Sequence, residues 1–515
     1  MKPACIRRGT AALCTLLCAA LLAGCAPQSA SSSTAGGGVP AAQSSARDNG
    51  QFVLPYSSAE GFNPYTSKST ITLQNSRLLF GNFVDITNDY DLVYNVASAV
   101  VSTGNEVTIT VGGSFADGTA ITGADAAASL EAARASSLFG ARFANVSAVR
   151  AAGNTVTVTL QKPDSLFAYL LDIPVMKAGE TASPSPTSSG RYSVSSSGDG
   201  MALTANASFA DKTTLDTIEL VELSGYDALV SSLNLGVISL FSSEQESDLA
   251  GSIVCNTSYF NLNNLVFIGI QPESPDSPLA QSALRQAISL GISRRQVADK
   301  AYYSRAYVAT GVINPRFPGE SAAATLAEEA DTAKAKALIE SLGYKMDEAS
   351  GFYQSADGKR LSFPLLCYTG SSFKRYAATL VADELSRIGI EVTVSDDSDF
   401  TSYNEKISSG TAPLYIGEVK LYNNMDMDAF FGAGNARARV APSDALLAAY
   451  DAMKADKTAL AGFETAFAAE MPFVPLVYKN GVATYSKDFS GLTPTVSDIF
   501  YGFENLTIDN ATQKE

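Results

Sequence analysis

Two short apolar runs, LSFPLLCY at residues 361–368 and IEVTV at residues 390–394, flank a segment with helical periodicity at 373–388. The β-branched and aromatic residues of the two runs predict strands, and Gly389 ends the helix between them. A strand, a helix and a second strand in this order form a crossover unit whose strands are expected to be parallel. The second half of the chain is therefore predicted to be α/β.

The unit is preceded by other regular patterns. An amphipathic helix is predicted at 331–342 and ends at Gly343. Earlier in the chain, residues 106–111 and 155–160 alternate between polar and apolar side chains, as half-buried strands do. Between those strands an Ala-rich helix begins after Thr122, which is placed to act as its N-cap. This earlier region is predicted to form a small α+β subdomain.

The segment 183–200 is rich in Ser, Pro and Gly. By composition it is predicted to be a linker, and a crossing between two lobes fits it equally well.

The N terminus carries a pattern typical of exported proteins. Positive residues precede an apolar run at 10–22, which is long enough for a secretion signal and short for a membrane span. The run ends in Leu22-Ala23-Gly24-Cys25, a quartet that resembles the bacterial lipobox. Residues 1–24 are therefore predicted to be a cleaved signal, and Cys25 is predicted to be acylated. The alternative is an ordinary secretory signal in which Cys25 is incidental.

A low-complexity tether at 25–48 follows this quartet and contains mostly Ser, Ala, Gly, Pro and Gln. Its composition cannot bury enough apolar surface to fold. The mature protein is thus expected outside the cytoplasm, held to the cell membrane through its lipid anchor alone.

The composition narrows the possible functions. The chain has 515 residues, 46% of them hydrophobic, so more than one lobe is expected. Its formal charge is −16, and removal of Lys2, Arg7 and Arg8 with the signal makes it −19, which disfavours nucleic acid as a partner. After cleavage Cys25, Cys255 and Cys367 remain, too few for a disulfide framework, so buried free thiols are favoured.

No histidine occurs anywhere in the sequence. This absence excludes Ser-His-Asp and Cys-His catalysis and metal sites that need imidazole. Hydrolysis by a carboxylate pair stays open, although no such pair stands at a recognisable spacing. We expect no enzyme activity, no catalytic residue, no cofactor and no bound metal.

The most specific motif is FADGTAITGAD at 115–125. It resembles the F-x-D-G-T-x-hydrophobic-T-x-x-D signature of the family 5 extracellular solute-binding proteins, the oligopeptide- and dipeptide-binding components of ABC transporters. Asp117-Gly118 is expected to form a turn. Asp125 is expected to complete a capping box, in which its carboxylate accepts the backbone N–H of Thr122. Weaker matches follow in the order of that family, at 154–167, 187–192, 284–288, 331–344, 388–392 and 471–476.

The resemblance implies a bilobal periplasmic-binding-protein-like clamp of type II with a third, smaller α+β subdomain. It also implies that the chain crosses between the lobes near Gly190, Gln271 and Leu476. The expected division is a signal peptide at 1–24, the lipidated cysteine and tether at 25–48, a first lobe at 49–66, 180–271 and 477–515, a small subdomain at 67–179, and a second lobe at 272–476.

In this family the ligand contacts come from an early loop, the inter-lobe segment and a late loop. By resemblance the first two provide Asn63, Tyr65 and Arg191. The alternative for Asn63 and Tyr65 is a simple turn with a packed aromatic ring. For Arg191 the alternative is a solvated loop charge.

The late loop, 417–431, departs from the family pattern. Peptide binders usually carry W-x-A-D here, and their aspartate holds the α-ammonium of the peptide, whereas this chain has Leu421 at that position and no tryptophan at all. Glu418, Asp426 or Asp428 is predicted to replace it, with Asp426 favoured, unless the ligand lacks a free amine. The alternative for Asp426 and Asp428 is an Asx-turn that caps the next helix.

The leading hypothesis is a monomeric, lipid-anchored receptor that delivers a peptide or similar small polar solute to ABC permease subunits. The alternatives are a cell-surface hydrolase that uses carboxylates, and a sensor or interaction lipoprotein on the same fold.

Overall fold

The computed structural model describes residues 51–198, 200–223, 225–244, 255–432, 437 and 439–508. The predicted signal, Cys25 and the tether lie outside these residues. The strands, numbered in chain order, are β1 Val53–Tyr56, β2 Val84–Ile86, β3 Leu92–Tyr94, β4 Ala97–Thr103, β5 Glu106–Val111, β6 Val146–Ala152, β7 Thr155–Leu160, β8 Tyr192–Ser197, β9 Gly200–Ala205, β10 Thr217–Glu222, β11 Leu240–Glu244, β12 Cys255–Ile270, β13 Ala306–Val308, β14 Lys345–Asp347, β15 Phe352–Gln354, β16 Ser362–Tyr368, β17 Glu391–Asp397, β18 Leu414–Lys420, β19 Val474–Ser486, β20 Phe489–Ser490 and β21 Thr507–Ile508.

The α-helices, numbered in the same way, are α1 Thr70–Leu79, α2 Gly123–Ala135, α3 Tyr226–Asn234, α4 Ser282–Leu290, α5 Arg294–Gln296, α6 Glu320–Ala323, α7 Thr332–Ser341, α8 Ser372–Arg387, α9 Phe400–Ser409, α10 Asp428–Phe431, α11 Asp444–Ala455 and α12 Leu460–Glu470. Short 3₁₀ turns occupy Gly140–Phe143, Phe167–Leu170, Ala207–Lys212, Pro278–Ala280, Lys457–Ala459 and Phe503–Asn505, and Val297–Ala301 is π-helical. No helix among the described residues is long and apolar enough to cross a membrane.

The largest sheet has the order β11-β19-β12-β18-β16-β17, and β13 pairs with β19 outside this path. At one end of the sheet β16 and the edge strand β17 run parallel and are joined by α8, so the predicted strand-helix-strand unit is confirmed. β18 also runs parallel to β16, whereas β12 and β19 pair antiparallel. The buried apolar side chains of β16 and β18 and of the second half of β12 belong to the largest buried cluster. The fold is α/β, as predicted.

The predicted small subdomain contains an antiparallel sheet with the order β4-β5-β7-β6. Its strands β5 and β7 are the two alternating runs predicted from the sequence. The helix α2 begins after Thr122, as expected, because the Asp125 carboxylate accepts hydrogen bonds from the Thr122 N–H, at 2.9 Å, and the Thr122 hydroxyl, at 2.7 Å. The domain boundaries given above stay a prediction.

One interpretation of the sequence was wrong in part. The Ser-rich segment 183–200 is not a linker throughout, because Tyr192–Ser197 forms β8 and pairs antiparallel with β9 in the sheet β1-β10-β9-β8. The buried ring of Tyr192 anchors this strand, and Gly198 turns the chain into β9 with a positive φ. β8 is an edge strand, where serine hydroxyls need no apolar partner. The serine-rich composition therefore gave no sign of a strand.

The two cysteines of the described part, Cys255 and Cys367, are not joined to each other. Cys367 is buried and Cys255 is half-buried. A buried free thiol is therefore confirmed for Cys367, whereas Cys255 is less buried than predicted.

Candidate functional site

A cavity of about 820 Å³ lies beside the N-terminal half of α1, and we call it the α1 cavity. Its wall is formed by residues 57–60, α1, the end of β11, residues 496–499 and Lys420 at the end of β18. Cavities of about 300–1,000 Å³ are typical of small-molecule sites. The size therefore suits a short peptide or another small solute.

The position of α1 follows from its sequence. Ser69 caps the helix, because its hydroxyl accepts the Thr72 N–H. Leu78 and Leu79 are buried in the protein core, so the opposite side of the helix is left for the cavity. This arrangement places Lys68, before the helix, and Arg77, in its last turn, on one wall.

The wall combines apolar side chains with polar groups and carries charges of both signs. The ionisable side chains on it are Glu60, Lys68, Arg77, Glu244, Lys420 and Asp498. Hydroxyl and amide groups of serine, threonine and glutamine residues lie among them. The two aromatic side chains of the wall, Phe241 and Phe260, are themselves buried.

Each carboxylate of the wall already receives donors from the protein. Glu60 accepts hydrogen bonds from the Ser67 hydroxyl, at 2.6 Å, and from the Lys68 N–H, at 3.1 Å. The Ser67 hydrogen bond is the main cause that lowers the pKa of Glu60.

Glu244 forms an ion pair with Lys420 and accepts the Asn264 amide at 2.9 Å. Burial raises the pKa of Glu244, but Lys420, the Asn264 hydrogen bond and Lys479 together outweigh burial and hold that pKa below its ordinary value.

Asp498 is the third carboxylate of the wall. Its ion-pair partner is Arg191, which was predicted from the sequence as a ligand contact. The Arg191 guanidinium lies 3.5 Å from Asp498 Oδ2 and donates to the Phe500 carbonyl at 3.2 Å. Burial raises the pKa of Asp498 to about 6, and Arg191 limits that rise. Arg191 therefore supports the cavity wall from behind, although it is not among the described residues that line the cavity.

Asn63 and Tyr65 are both buried and bonded to the chain itself. The Asn63 amide donates to the carbonyls of Thr181, at 2.9 Å, and Ser183, at 2.7 Å, and its oxygen accepts the Tyr65 N–H. The Tyr65 hydroxyl donates to the Pro174 carbonyl. These contacts are those of a packed turn, and a role of either residue in ligand binding stays a prediction.

Glu418 lies behind the cavity wall. Its carboxylate contacts Lys374 Nζ at 2.6 Å and Lys479 Nζ at 3.1 Å, and it accepts the Asn264 amide at 2.7 Å. Burial raises its pKa, but the two lysines together outweigh burial and lower it. Because Asn264 donates to both Glu418 and Glu244, Glu418 is one contact away from the cavity.

The end of the late loop forms the turn that was the alternative for Asp426 and Asp428. Asp426 Oδ1 accepts the Asp428 N–H at 2.8 Å, directly before α10. The preceding bend, expected from Asn423 and Asn424, is present, and Met425 there has a positive φ. An amine-binding role for Asp426 or Asp428 is neither required nor excluded by this geometry and stays a prediction.

The two asparagines of the bend tie the late loop to other parts of the protein. Asn423 donates to Asp172 Oδ2 at 3.1 Å, and Asn424 donates to Asp164 Oδ2 at 2.8 Å. Asn423 also accepts the Asn263 amide at 2.6 Å. All three partners are buried, so a buried polar network holds the bend.

Sequence reasoning missed most of the cavity wall, namely Glu60, Lys68, Arg77, Glu244 and Asp498. These residues lie on separate elements that only the folded chain brings together, and no local pattern marks them. Lys420 lay inside the late loop that was predicted to contribute. Within the described residues, no group of three or more His, Cys, Asp or Glu is placed to hold a metal ion.

Comparison with known proteins identifies the family. The family model for bacterial extracellular solute-binding proteins, family 5 (middle), matches residues 97–438, well over half of the chain. The chain belongs to this family. Members of family 5 are the substrate-binding proteins of ABC importers and lie outside the cytoplasm, so the chain is a family 5 solute-binding protein rather than a member of an enzyme family. A comparison with curated protein sequences found no match.

Solved structures show the same fold at low sequence identity. The nickel ABC transporter protein from Bacillus halodurans has a TM-score of 0.70 and 17% identity, and the match covers 88% of this chain and 98% of that one. The substrate-binding protein CtaP from Listeria monocytogenes has a TM-score of 0.68, 18% identity and coverage of 90% and 100%. The oligopeptide-binding protein AppA from Bacillus subtilis, in complex with a nonapeptide, has a TM-score of 0.57, 17% identity and coverage of 89% and 99%. The family 5 chain therefore has the predicted type II periplasmic-binding-protein-like fold.

Proposed function

We propose that this family 5 protein is a lipid-anchored, monomeric receptor that binds a peptide or similar small polar solute in the α1 cavity and delivers it to an ABC permease. The observation that carries the proposal is a cavity of about 820 Å³, lined by apolar side chains with charged and hydroxyl groups among them, in a chain of a solute-binding family. A cavity of this size can bury most of a small ligand and satisfy its polar groups.

The proteins of similar fold include one described with a nonapeptide and one of a nickel transporter. We favour a peptide or another organic solute, because the wall offers hydroxyl groups, amide groups and charges of both signs. The backbone and the two charged ends of a short peptide need such partners, since an unpaired polar group in a closed site is costly.

A thermal-shift screen of the full protein tests this function. The pools are short peptides, free amino acids and oligosaccharides, each compared with buffer. A ligand at 100 times its Kd stabilises the native state by about 2.7 kcal/mol, so a binding pool raises the melting temperature. Recovery of the ligand unchanged after incubation supports a receptor. If no pool shifts the melting temperature, the proposal is contradicted.

The lipid anchor at Cys25 is proposed from the quartet at residues 22–25 and the tether that follows it. A diacyl group supplies two chains, which is what stable anchoring requires. Intact-mass analysis of membrane-extracted protein should show the added lipid, and Cys25→Ala should move the protein to the soluble fraction. An unmodified Cys25 on membrane-bound protein would disprove this part.

The ligand roles of Asn63, Tyr65, Arg191, Glu418, Asp426 and Asp428 are kept as proposals of different strength. Arg191 has the best support, through its contact with Asp498 of the wall. Glu418 is already neutralised by two lysines and is a weak candidate for an ammonium partner. Titration of Asp426→Asn with a free peptide and its N-acetyl form tests amine recognition directly.

A further inference from the structure

Arg77 is a buried cation on the wall of the α1 cavity. Its side chain is 7% exposed, and its Nη1 donates to the Asp172 carbonyl at 2.8 Å. Its Nη2 lies 3.8 Å from Asp172 Oδ2, which is an ion pair but too long for a hydrogen bond. A guanidinium has five N–H donors. Arg77 therefore holds several donors that bond to no described residue.

The carboxylate of Asp172 is occupied by other partners. Its Oδ1 accepts Arg142 Nη1 at 2.6 Å, and its Oδ2 accepts the Asn423 amide at 3.1 Å. Two arginines thus share one buried aspartate, and Arg142 has the shorter contact. Asp172 holds Arg77 through its backbone carbonyl and, at 3.8 Å, through the charge of its carboxylate, while most of the guanidinium donors bond to no described residue.

Among the other charged groups of the wall, the three carboxylates have protein partners, whereas Lys68 forms no ion pair within the described part of the chain. The three carboxylates Glu60, Glu244 and Asp498 already accept hydrogen bonds or ion pairs from the protein. Lys68 is exposed to the cavity, and its ammonium forms no ion pair with a described residue. The wall therefore offers positively charged donors at Arg77 and Lys68 that bond to no described residue, whereas each of its carboxylates already has a donor from the protein.

We propose that the α1 cavity takes a ligand with a carboxylate group, that Arg77 binds this carboxylate, and that Asp172 is the positioning residue for Arg77. This inference rests on the proposed function and names the chemistry of its solute. A guanidinium binds a carboxylate through two parallel N–H···O bonds, a geometry that lysine cannot provide. In a buried site such a pair is stronger than at the surface.

The carboxylate belongs either to the C terminus of a peptide or to another organic acid, and matched probes separate the two. Calorimetric titrations of the full protein use trialanine, trialanine amide and glutarate. For the parent we expect an anionic probe to bind at least about 10-fold more tightly than the amide. Tight binding of trialanine indicates a peptide C terminus, and tight binding of glutarate alone indicates a non-peptide acid. Both results support a carboxylate ligand.

The variants locate the contact. Arg77→Gln should reduce the preference for the acid over the amide to about one. Arg142→Gln is the matched control, because it removes the other arginine at Asp172, which does not line the cavity in the described residues. It is expected to lower the melting temperature and to keep the preference. Asp172→Asn should lower the preference and leave amide binding unchanged, which a purely structural role would not do.

Equal binding of trialanine and its amide to the parent overturns the inference, as does a preference that survives Arg77→Gln in a folded variant. Binding of only neutral or cationic solutes from the screen also overturns it, while the receptor function stands. If no solute of any class binds, the receptor function itself fails. Circular dichroism and the melting temperature of each variant confirm that it is folded, and Arg77→Lys retains the charge as a second test of the two-bond geometry.

Discussion

Two buried glutamates, Glu320 on α6 and Glu464 on α12, converge beside Gly311. A Cβ on Gly311 would overlap both carboxyl groups, so glycine is required there. Glu464 accepts the N–H groups of Val312, at 2.9 Å, and Ile313, at 2.9 Å, whereas neither oxygen of Glu320 accepts a hydrogen bond from a described residue. Two carboxylates cannot both be charged at such a site, so Glu320 is neutral and donates its proton to Glu464.

This pair gives the first prediction, which concerns alkaline stability. Burial, followed by the neighbouring Glu464, raises the pKa of Glu320 far above its ordinary value of 4.5. A raised folded-state pKa contributes stability that is complete below pH 4.5 and is lost as the pH rises toward the folded-state value. The loss amounts to about 1.4 kcal/mol for each pH unit in that range.

Glu320→Gln keeps a donor for Glu464 and removes the titration. We expect a small change at pH 5 and a gain in the free energy of unfolding of up to about 4 kcal/mol at pH 8 relative to the parent, since the parent loses about 1.4 kcal/mol for each of the three pH units between. Urea unfolding at both pH values measures it, with the exposed Glu348→Gln as control. Parallel pH profiles for parent and Glu320→Gln would contradict a shared proton.

Local patterns of the sequence predicted several elements well. The strands β5, β7, β16 and β17 and the helices α2, α7 and α8 all follow from alternation, helical periodicity or capping residues, because each of these signals lies within one element. The 16-residue β12 was not predicted, since its Asn-rich stretch at 261–264 interrupts the apolar pattern. Among them, Asn263 bonds to partners far away in the chain, namely Tyr90, Asn314 and Asn423.

The candidate site was harder to predict than the elements for the same reason. The family pattern predicted ligand contacts from residues 62–65, 188–192 and 417–431. Among the described residues of these segments, only Lys420 lines the cavity. Arg77 lies in the last turn of a helix, where a basic residue is expected from the helix dipole alone. Nothing local distinguishes such an arginine from one that faces a cavity.

The second prediction concerns the cap of α2. Asp125 is 7% exposed and accepts three hydrogen bonds, from the Thr122 N–H and hydroxyl and from the Ala178 N–H at 2.8 Å. Its carboxylate thus joins α2 to a segment 53 residues later. Asp125→Ala should lower the free energy of unfolding by roughly 2–4 kcal/mol, because buried donors lose their acceptor.

The matched control is Asp331→Ala at the N-cap of α7, where an exposed aspartate accepts the Lys334 N–H at 2.9 Å. That change should cost only about 1 kcal/mol. Urea unfolding of both variants, followed by circular dichroism, compares the two losses. Equal losses would show that the contact with Ala178 adds nothing to ordinary capping.

Two long strands, β12 and β19, run side by side through the largest sheet. They pair from Cys255 to Asn261 and again from Leu265 onward, with a register shift between. The shift leaves several residues of β12 opposite Lys479 of β19, which is a bulge. On one side of the bulge β19 also pairs with β11, and on the other side β12 also pairs with β18. A bulge bends its strand and breaks the ladder, so it is a natural place for a hinge.

The third prediction is therefore that ligand binding closes the molecule by bending at this bulge. The α1 cavity is lined by β11 on one side of the bulge and by Lys420 of β18 on the other, so a ligand that contacts both sides favours the closed form. A ligand shifts such an equilibrium only by its difference in affinity for the two forms.

Small-angle scattering of the protein with a ligand from the screen, at a concentration shown by calorimetry to saturate the site, should give a smaller radius of gyration than without it. Lys420→Gln should bind the ligand more weakly and compact less at equal saturation, because it removes the ligand contact on the β18 side of the bulge. The control is Lys162→Gln, an exposed position remote from the cavity, which should behave as the parent. Identical scattering profiles for the free and saturated parent would mean that the cavity binds its solute without a hinge motion.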